Sequence, residues 1–379
     1  MTEANTPRTS HGTPQDTSQS KPHGATQDKP HGTPQSKPQT KKTPTRKHSA
    51  GAFATPHDSR KYWLVLTILI AVGALCAFGL LAYKNPMPVG TPQFWLLAER
   101  RMHAVIAMAV VAICQGMATV AFQTVTNNRI ITPSIMGFES LYAAIHTTTV
   151  FLGGVAGLAA ARSLPMFLLQ IILMVGMAVL LYGWLLTGRK ADMHATLLVG
   201  VVIGAGLGSV SSFMQRLLTP SEFDVLTARL FGSVNNSKPE YYPVAIPMLI
   251  GAAVLLYLAS RKLNVMSLGR DVTTNLGLNH KALNIYILVL VTILMAVSTA
   301  LVGPMTFLGF LVATLTYQFA NTYDHRFLFP MAALMAFAVL TCAYFVMNHI
   351  FYAQGAVSII IELVGGLVFL TVLLRKGRL

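Results

Sequence analysis

The feature that most constrains this chain is a succession of long apolar runs that starts at Tyr62 and continues to the C-terminus, with short polar breaks between the runs. Crossing the roughly 30 Å hydrocarbon core of a bilayer takes about 20 helical residues. The period-two alternation that marks a transmembrane β-barrel does not recur along the segments. The runs therefore predict an all-α polytopic membrane protein with ten transmembrane helices. The predicted spans are 62–82, 103–124, 134–153, 165–187, 195–214, 242–259, 284–302, 306–320, 330–347 and 356–371.

The composition excludes an ordinary soluble enzyme. Hydrophobic residues make up 53% of the chain and charged residues only 11%, with a mean hydropathy of +0.56, whereas a soluble domain carries about 25% charged residues. The net charge of +15 does not indicate nucleic-acid binding, because the Lys and Arg residues are more frequent on the side of the membrane predicted to be cytoplasmic. With the N-terminus inside and ten crossings, the cytoplasmic loops and C-terminus hold 11 Lys and Arg residues and the outer loops hold 7. The positive-inside rule therefore predicts that both termini are cytoplasmic.

Residues 1–61 differ in composition from the predicted transmembrane domain at 62–379. They are rich in Pro, His and Lys, and Phe53 is the one aromatic residue before Tyr62. Such a segment cannot bury enough apolar surface to offset the entropy of ordering, which predicts a disordered cytoplasmic tail. A signal peptide is not expected, because the first apolar run starts too late. A solvated tether is the simpler interpretation, and the histidines leave metal or partner capture as the alternative.

Ionisable groups within or next to the predicted spans are few, and Glu139, Glu362, His146 and His349 are the main ones. This scarcity argues against a proton- or ion-coupled transporter, which needs such groups near the middle of the membrane. No cluster with metal-ligand spacing is present, and Cys76, Cys114 and Cys342 are interpreted as small core residues. No P-loop and no hydrolase motif is found. We therefore expect no enzymatic activity and no metal or cofactor bound by this chain.

Two further features concern packing and partner contacts. Gly200, Gly204 and Gly208 recur every fourth residue in the fifth span, which predicts a close approach of another helix. The predicted cytoplasmic loop 261–283 contains a short helical pattern that a partner protein could push, although a plain interhelical loop would have a similar composition.

Four blocks of the sequence resemble the permease subunits of iron-siderophore and vitamin B12 ABC importers of the FecCD type. In 122–142, the residues Gln123, Asn128, Pro133 and Gly137 fit the motif that follows the second helix. The segment 263–279 is similar to the coupling segment of the family, and Ser298–Tyr317 contains its glycine-proline block. The triplet Asp324, His325 and Arg326 fits the motif before the ninth helix.

The resemblance implies a type II ABC importer permease in a bacterial cytoplasmic membrane. Its implied partners are cytoplasmic ABC ATPase subunits that hold ATP-Mg, an extracytoplasmic substrate-binding protein, a second permease subunit and the lipid bilayer. No nucleic-acid partner is implied. The coupling segment would dock on the ATPase through Leu268, Gly269, Arg270, Asp271, Asn275, Leu276 and Gly277. Arg100 and Arg101 would pair with acidic groups of the binding protein. Close helix packing is expected at Gly303, Pro304 and Gly309.

The sequence departs from the family at two places. Ala313 and Thr314 replace a proline-histidine pair in the eighth helix, and the second helix starts with Arg100 and Arg101 instead of an Arg-Leu-Pro-Arg motif. The expected cargo is a ferric siderophore of the catecholate type. The alternatives are a haem or cobalamin importer of the same type, a secondary transporter that works alone, and a membrane scaffold or receptor.

Overall fold

The computed structural model describes residues 51–83, 91–160, 163–187, 193–350 and 357–376, and the secondary structure within these ranges is helical, without a strand. Residues 48–379 form one compact unit, and most of the predicted tail lies outside the described residues. The α-helices are α1 (Pro56–Ala82), α2 (Pro92–Val125), α3 (Phe138–Ala160), α4 (Leu164–Thr187), α5 (Met193–Gln215), α6 (Pro220–Leu230), α7 (Tyr242–Leu258), α8 (Ser260–Met266), α9 (Arg270–Asn275), α10 (His280–Val302), α11 (Thr306–Phe319), α12 (His325–His349) and α13 (Val357–Lys376).

Each of the ten predicted spans coincides with one of these helices. Seven of them are long and apolar enough to cross a membrane, namely α1, α2, α4, α5, α7, α10 and α12. The shorter apolar helices α11 and α13 correspond to the predicted spans 306–320 and 356–371. The remaining span is α3, whose helical path is broken at Gly154, with φ 57° and ψ −152°.

Side-chain caps place four helix starts earlier than the predicted spans, and α1 and α2 differ most. Helix α1 begins at Pro56 instead of residue 62, because Thr55 and Asp58 form a capping box that satisfies the free N–H groups of the first turn. Helix α2 begins at Pro92 instead of residue 103, since the Thr91 side chain accepts a hydrogen bond from the N–H of Phe94.

Helices α2 and α10 form the centre of the bundle. Between residues 107 and 125 of α2, and over the last two-thirds of α10, almost every side chain is buried. Helix α2 packs against α10 and α12, and α10 packs in addition against α4 and α7. The centre of the bundle is therefore filled by helix.

Helix α1 lies at the rim and packs mainly on α12. Trp63, Leu64 and Leu75 on its outer face are more than half exposed, as expected for a surface that faces lipid. The two helices approach closely enough to bring the Sγ atoms of Cys76 and Cys342 to 3.0 Å. The prediction of small core cysteines therefore describes the fully buried Cys114 better than this partly exposed pair.

Candidate functional site

The predicted coupling segment folds as two short helices, α8 and α9, joined by a tight turn. Gly269 at the turn has φ +98°, and Gly277 after α9 has φ +81°. L side chains rarely adopt these conformations, which explains the glycines that bracket α9. The hydroxyl of Thr273 donates to the carbonyl oxygens of Gly269 and Val265 at 2.7 and 3.3 Å, which ties α9 back to α8.

One face of this segment presents apolar side chains without cover in the described chain. Leu268, Val272 and Leu276 recur every fourth residue and are 61%, 41% and 61% exposed. Arg270, Asp271 and Asn275 are also exposed. An exposed apolar stripe beside polar side chains is typical of a protein contact surface.

A hydrogen-bond network joins α8 to the start of α12 and to the end of α2. The Asn264 amide nitrogen donates to Asp324 Oδ1 at 2.9 Å, and Asn264 Oδ1 accepts from the backbone N–H of His325 at 2.9 Å. The two nitrogens of the His325 ring contact Asn264 Oδ1 at 2.6 Å and Thr124 Oγ1 at 2.7 Å. The network therefore connects α8 to two helices that pack along each other.

The Asp324 carboxylate is held ionised in this network. Burial raises its pKa, but hydrogen bonds from Arg326 and Asn264 outweigh that effect and lower the pKa to about 2. The sequence motif identified Asp324, His325 and Arg326, but it did not identify Asn264 or Thr124. The only available signal for Asn264 was a polar residue within a short helix.

The loop after α2 is fixed by the residues that match the family motif. Gln123 donates from its amide to the carbonyl of Arg129 at 2.8 Å, and Asn128 Oδ1 accepts from the N–H of Ile130 at 2.9 Å. The guanidinium of Arg129 lies 4.6 Å from the ring centroid of Tyr317 in α11, a cation–π contact. The loop is thereby tied to α11.

The glycine stripe of α5 faces the start of α3. A Cβ atom on Gly204 would lie 2.9 Å from the Cα of Gly137, and Gly137 itself has φ +89°. Gly200 lies against Met136, and Gly208 lies near Ser140. The α3–α5 contact is therefore a close backbone approach that depends on missing side chains.

The break between α10 and α11 meets the loop after α6. Gly303 has φ +93° and lies against Gly232, and a Cβ on Gly232 would overlap the carbonyl of Pro304. The N–H of Ser233 donates to the carbonyl of Val302 at 2.8 Å. Farther along α11, a Cβ on Gly309 would overlap the Thr119 hydroxyl of α2.

The two predicted docking arginines have different surroundings. Both line a cavity of about 830 Å³ between α1, α2 and α12, together with residues such as Asn235, Tyr344 and His349. Arg101 donates from Nη1 to the carbonyls of Leu80, Leu81 and Tyr83 at 3.0 to 3.2 Å. It therefore caps the C-terminus of α1, whereas Arg100 is exposed.

The two carboxylates predicted within the spans lie on helices that pack on the start of α11. Thr306 donates to Glu139 Oε2 at 2.6 Å, which joins α3 to α11. Gly365 of α13 packs on Phe307, and Glu362 lies three residues before Gly365. Within the described ranges, no three His, Cys, Asp or Glu residues are grouped so that they could hold a metal ion.

The FecCD transport family model matches residues 62–375. The chain belongs to this family. Petrobactin import system permease protein FatC of Bacillus anthracis is 55% identical over 331 residues, covering 87% of this chain and 94% of that protein. Petrobactin import system permease protein YclO of Bacillus subtilis (strain 168) is 35% identical over 83% of this chain and 98% of that protein.

A solved structure has the same fold. It is described as an inward-facing conformation of a metal-chelate type ABC transporter, and it superposes with a TM-score of 0.70 over 82% of this chain and 99% of that chain, at 20% identity. The predicted family and the predicted all-α permease fold are thus confirmed. The roles of the individual FecCD-type residues in coupling, docking and packing stay predictions, for which the contacts above supply the physical basis.

Proposed function

We propose that this chain is the permease subunit of an ATP-driven ABC importer that takes up a ferric siderophore of the catecholate type. The observation that carries the proposal is its similarity over nearly the full length to a petrobactin import permease. The chain makes no covalent change in the cargo, and ATP is hydrolysed in a separate cytoplasmic subunit that holds ATP-Mg. We place both termini in the cytoplasm, on the grounds of the Lys and Arg distribution.

ATP-driven motion reaches the helices through the coupling segment. The exposed stripe of Leu268, Val272 and Leu276 docks on the ATPase. From there the Asn264 network passes the motion to α2 and α12. This arrangement supports alternating access, since α2 lies at the centre of the bundle and contacts several of its helices.

A second permease subunit completes the path. The centre of the bundle is filled by α2 and α10, so a bulky chelate needs a route along an outer face. A second membrane subunit facing it would shield that route from lipid. On the outer side, Arg100 is the residue that remains exposed for a carboxylate of the binding protein.

Uptake of ⁵⁵Fe-labelled ferric petrobactin in a deletion strain tests the function. Expression of this chain with its ATPase, second permease and binding protein should restore uptake, and a Walker-motif variant of the ATPase should abolish it. Uptake that survives the ATPase variant but stops with an uncoupler would show a secondary transporter instead. Uptake of haem or cobalamin in place of the siderophore would assign the alternative cargo.

A further inference from the structure

Helix α6 lies antiparallel along α3. Its Leu226 and the Val150 side chain of α3 share a small buried apolar cluster. Near the start of α6, the Glu222 carboxylate lies within 3.3 Å of the Cβ position of Gly154. At its other end, the Tyr142 hydroxyl donates to the carbonyl of Arg229 at 3.4 Å. The C-terminus of α6 therefore reaches the first turns of α3, whereas the predicted spans 195–214 and 242–259 leave Arg229 in the loop between them.

Arg229 buries a guanidinium without an anionic partner. The residue is 7% exposed, its Nε atom has no hydrogen-bond partner, and no carboxylate in the described chain pairs with it. The Glu139 carboxylate, one turn before Tyr142, accepts from Thr306. A buried and unpaired charge is costly. The C-terminal end of α6 favours a cation through the helix dipole, but it does not supply an acceptor to Nε.

His146, one turn after Tyr142 on α3, provides a second unfilled donor in this region. It is 1% exposed, and its ring lies 4.3 Å from the Tyr142 ring, centroid to centroid. The Gln170 amide nitrogen lies 3.1 Å from His146 Nε2. Because an amide NH₂ only donates, Nε2 accepts and the ring proton lies on Nδ1. His146 Nδ1 is buried and has no partner. Tyr142 links His146 to α6, because its ring packs on the His146 ring and its hydroxyl donates to the Arg229 carbonyl.

We propose that Arg229 and His146 form a binding subsite for an anionic oxygen. Two buried donors and one uncompensated positive charge fit an acceptor that carries negative charge, such as a catecholate or carboxylate oxygen. The occupant we assign is an anionic oxygen of the ferric siderophore on its way past α3 and α6, an assignment that rests on the proposed function. A small resident anion such as chloride offers the same chemistry and is the alternative source.

Binding to the purified full-length chain separates these sources. The melting temperature is measured against increasing 2,3-dihydroxybenzoate and, separately, against chloride replaced by gluconate. We expect 2,3-dihydroxybenzoate to raise the melting temperature of the wild type, Arg229→Gln and His146→Gln to reduce this response, and Arg229→Lys to keep part of it. Arg216→Gln is the matched control, because Arg216 is an exposed arginine near the end of α5.

A response to chloride alone would overturn the assignment to the cargo. No response of the wild type to either anion would overturn the subsite. In cells, Arg229→Gln should raise the half-saturation concentration for siderophore uptake about tenfold while the protein remains inserted, and an unchanged value would also contradict the assignment to the cargo. A wild type that binds 2,3-dihydroxybenzoate but transports no siderophore would contradict the proposed function and leave the subsite intact.

Discussion

At the scale of single residues, Asn264 connects α8 to the start of α12. Its side chain contacts Asp324 and His325 through both of its polar atoms. A sequence motif can show that a triplet such as Asp324 to Arg326 is present, but it cannot show which distant side chain satisfies it. The sequence therefore predicts the triplet Asp324 to Arg326 but not its hydrogen-bond partner Asn264.

We predict that Asn264→Ala lowers stability by about 1–3 kcal/mol, because it leaves the backbone N–H and Nδ1 of the buried His325 without Asn264 Oδ1 and removes one hydrogen bond from Asp324. The ATPase activity stimulated by the binding protein should fall with it. Denaturation of the purified chain and ATPase assays of the whole complex measure the two effects. Ser267→Ala is a control on the same segment, since the Ser267 hydroxyl is exposed and donates only to a local carbonyl.

Substitutions of Arg100 and Arg101 should have different effects, although the sequence predicts the same docking role for both. Arg101→Ala should lower the melting temperature, because it removes the donors to three carbonyls at the end of α1. Arg100→Glu should leave the melting temperature unchanged and weaken association with the binding protein. A loss of stability in Arg100→Glu, with binding intact, would reverse the two assignments.

At the scale of elements, the apolar spans could be predicted because lipid imposes a length and a composition on every crossing helix. Helix α6 could not be predicted as a packed element. Its pattern is that of a short amphipathic loop helix, and its position along α3 is set by the contacts of Leu226 and Arg229. The sequence predicts that the glycines of α5 contact another helix. It does not predict that the contact is with Gly137, which lies 67 residues before Gly204 and is brought close by the fold.

The exposed apolar stripe of Leu268, Val272 and Leu276 gives a prediction for the coupling segment. The double substitution Leu268→Asp and Leu276→Asp should abolish uptake and ATPase stimulation without loss of membrane insertion, because both side chains are exposed and only a docked partner would bury them. Thr274→Asp, at an exposed position of α9 between the two leucines, adds one carboxylate and should have a small effect. Normal uptake by the double variant would contradict the assignment of the coupling segment.

Substitution of two glycines of α5 by alanine should change the stability of the protein in opposite directions. Gly204→Ala should destabilise the protein by about 1–3 kcal/mol, since its Cβ would meet the Gly137 backbone. Gly206→Ala has open space around its Cβ and should stabilise the helix by about 0.5–1 kcal/mol. Unfolding of both purified variants measures the difference, and equal effects would show that the α3–α5 approach is not close.

At the scale of the whole molecule, the segment before α1 divides into two parts with different expected importance. Phe53 packs on Tyr62 and Phe327, with ring centroids 5.4 and 4.9 Å apart, and Thr55 caps α1. Removal of residues 2–50 should leave uptake and melting temperature unchanged. Removal of residues 2–60 should lower both, because it also deletes the cap and the aromatic contact. Uptake assays and thermal denaturation of the two truncated proteins compare these outcomes.

The contact between α1 and α12 has a consequence for how the protein is made. Tyr62 donates its hydroxyl to the carbonyl of Phe327, 265 residues later in the chain. At a synthesis rate of about 5–20 residues per second, the helix that leaves the ribosome first waits tens of seconds for its main neighbour. During biogenesis the hydrophobicity of α1 alone must therefore keep this helix in the bilayer. Its packing on α12 forms only near the end of translation.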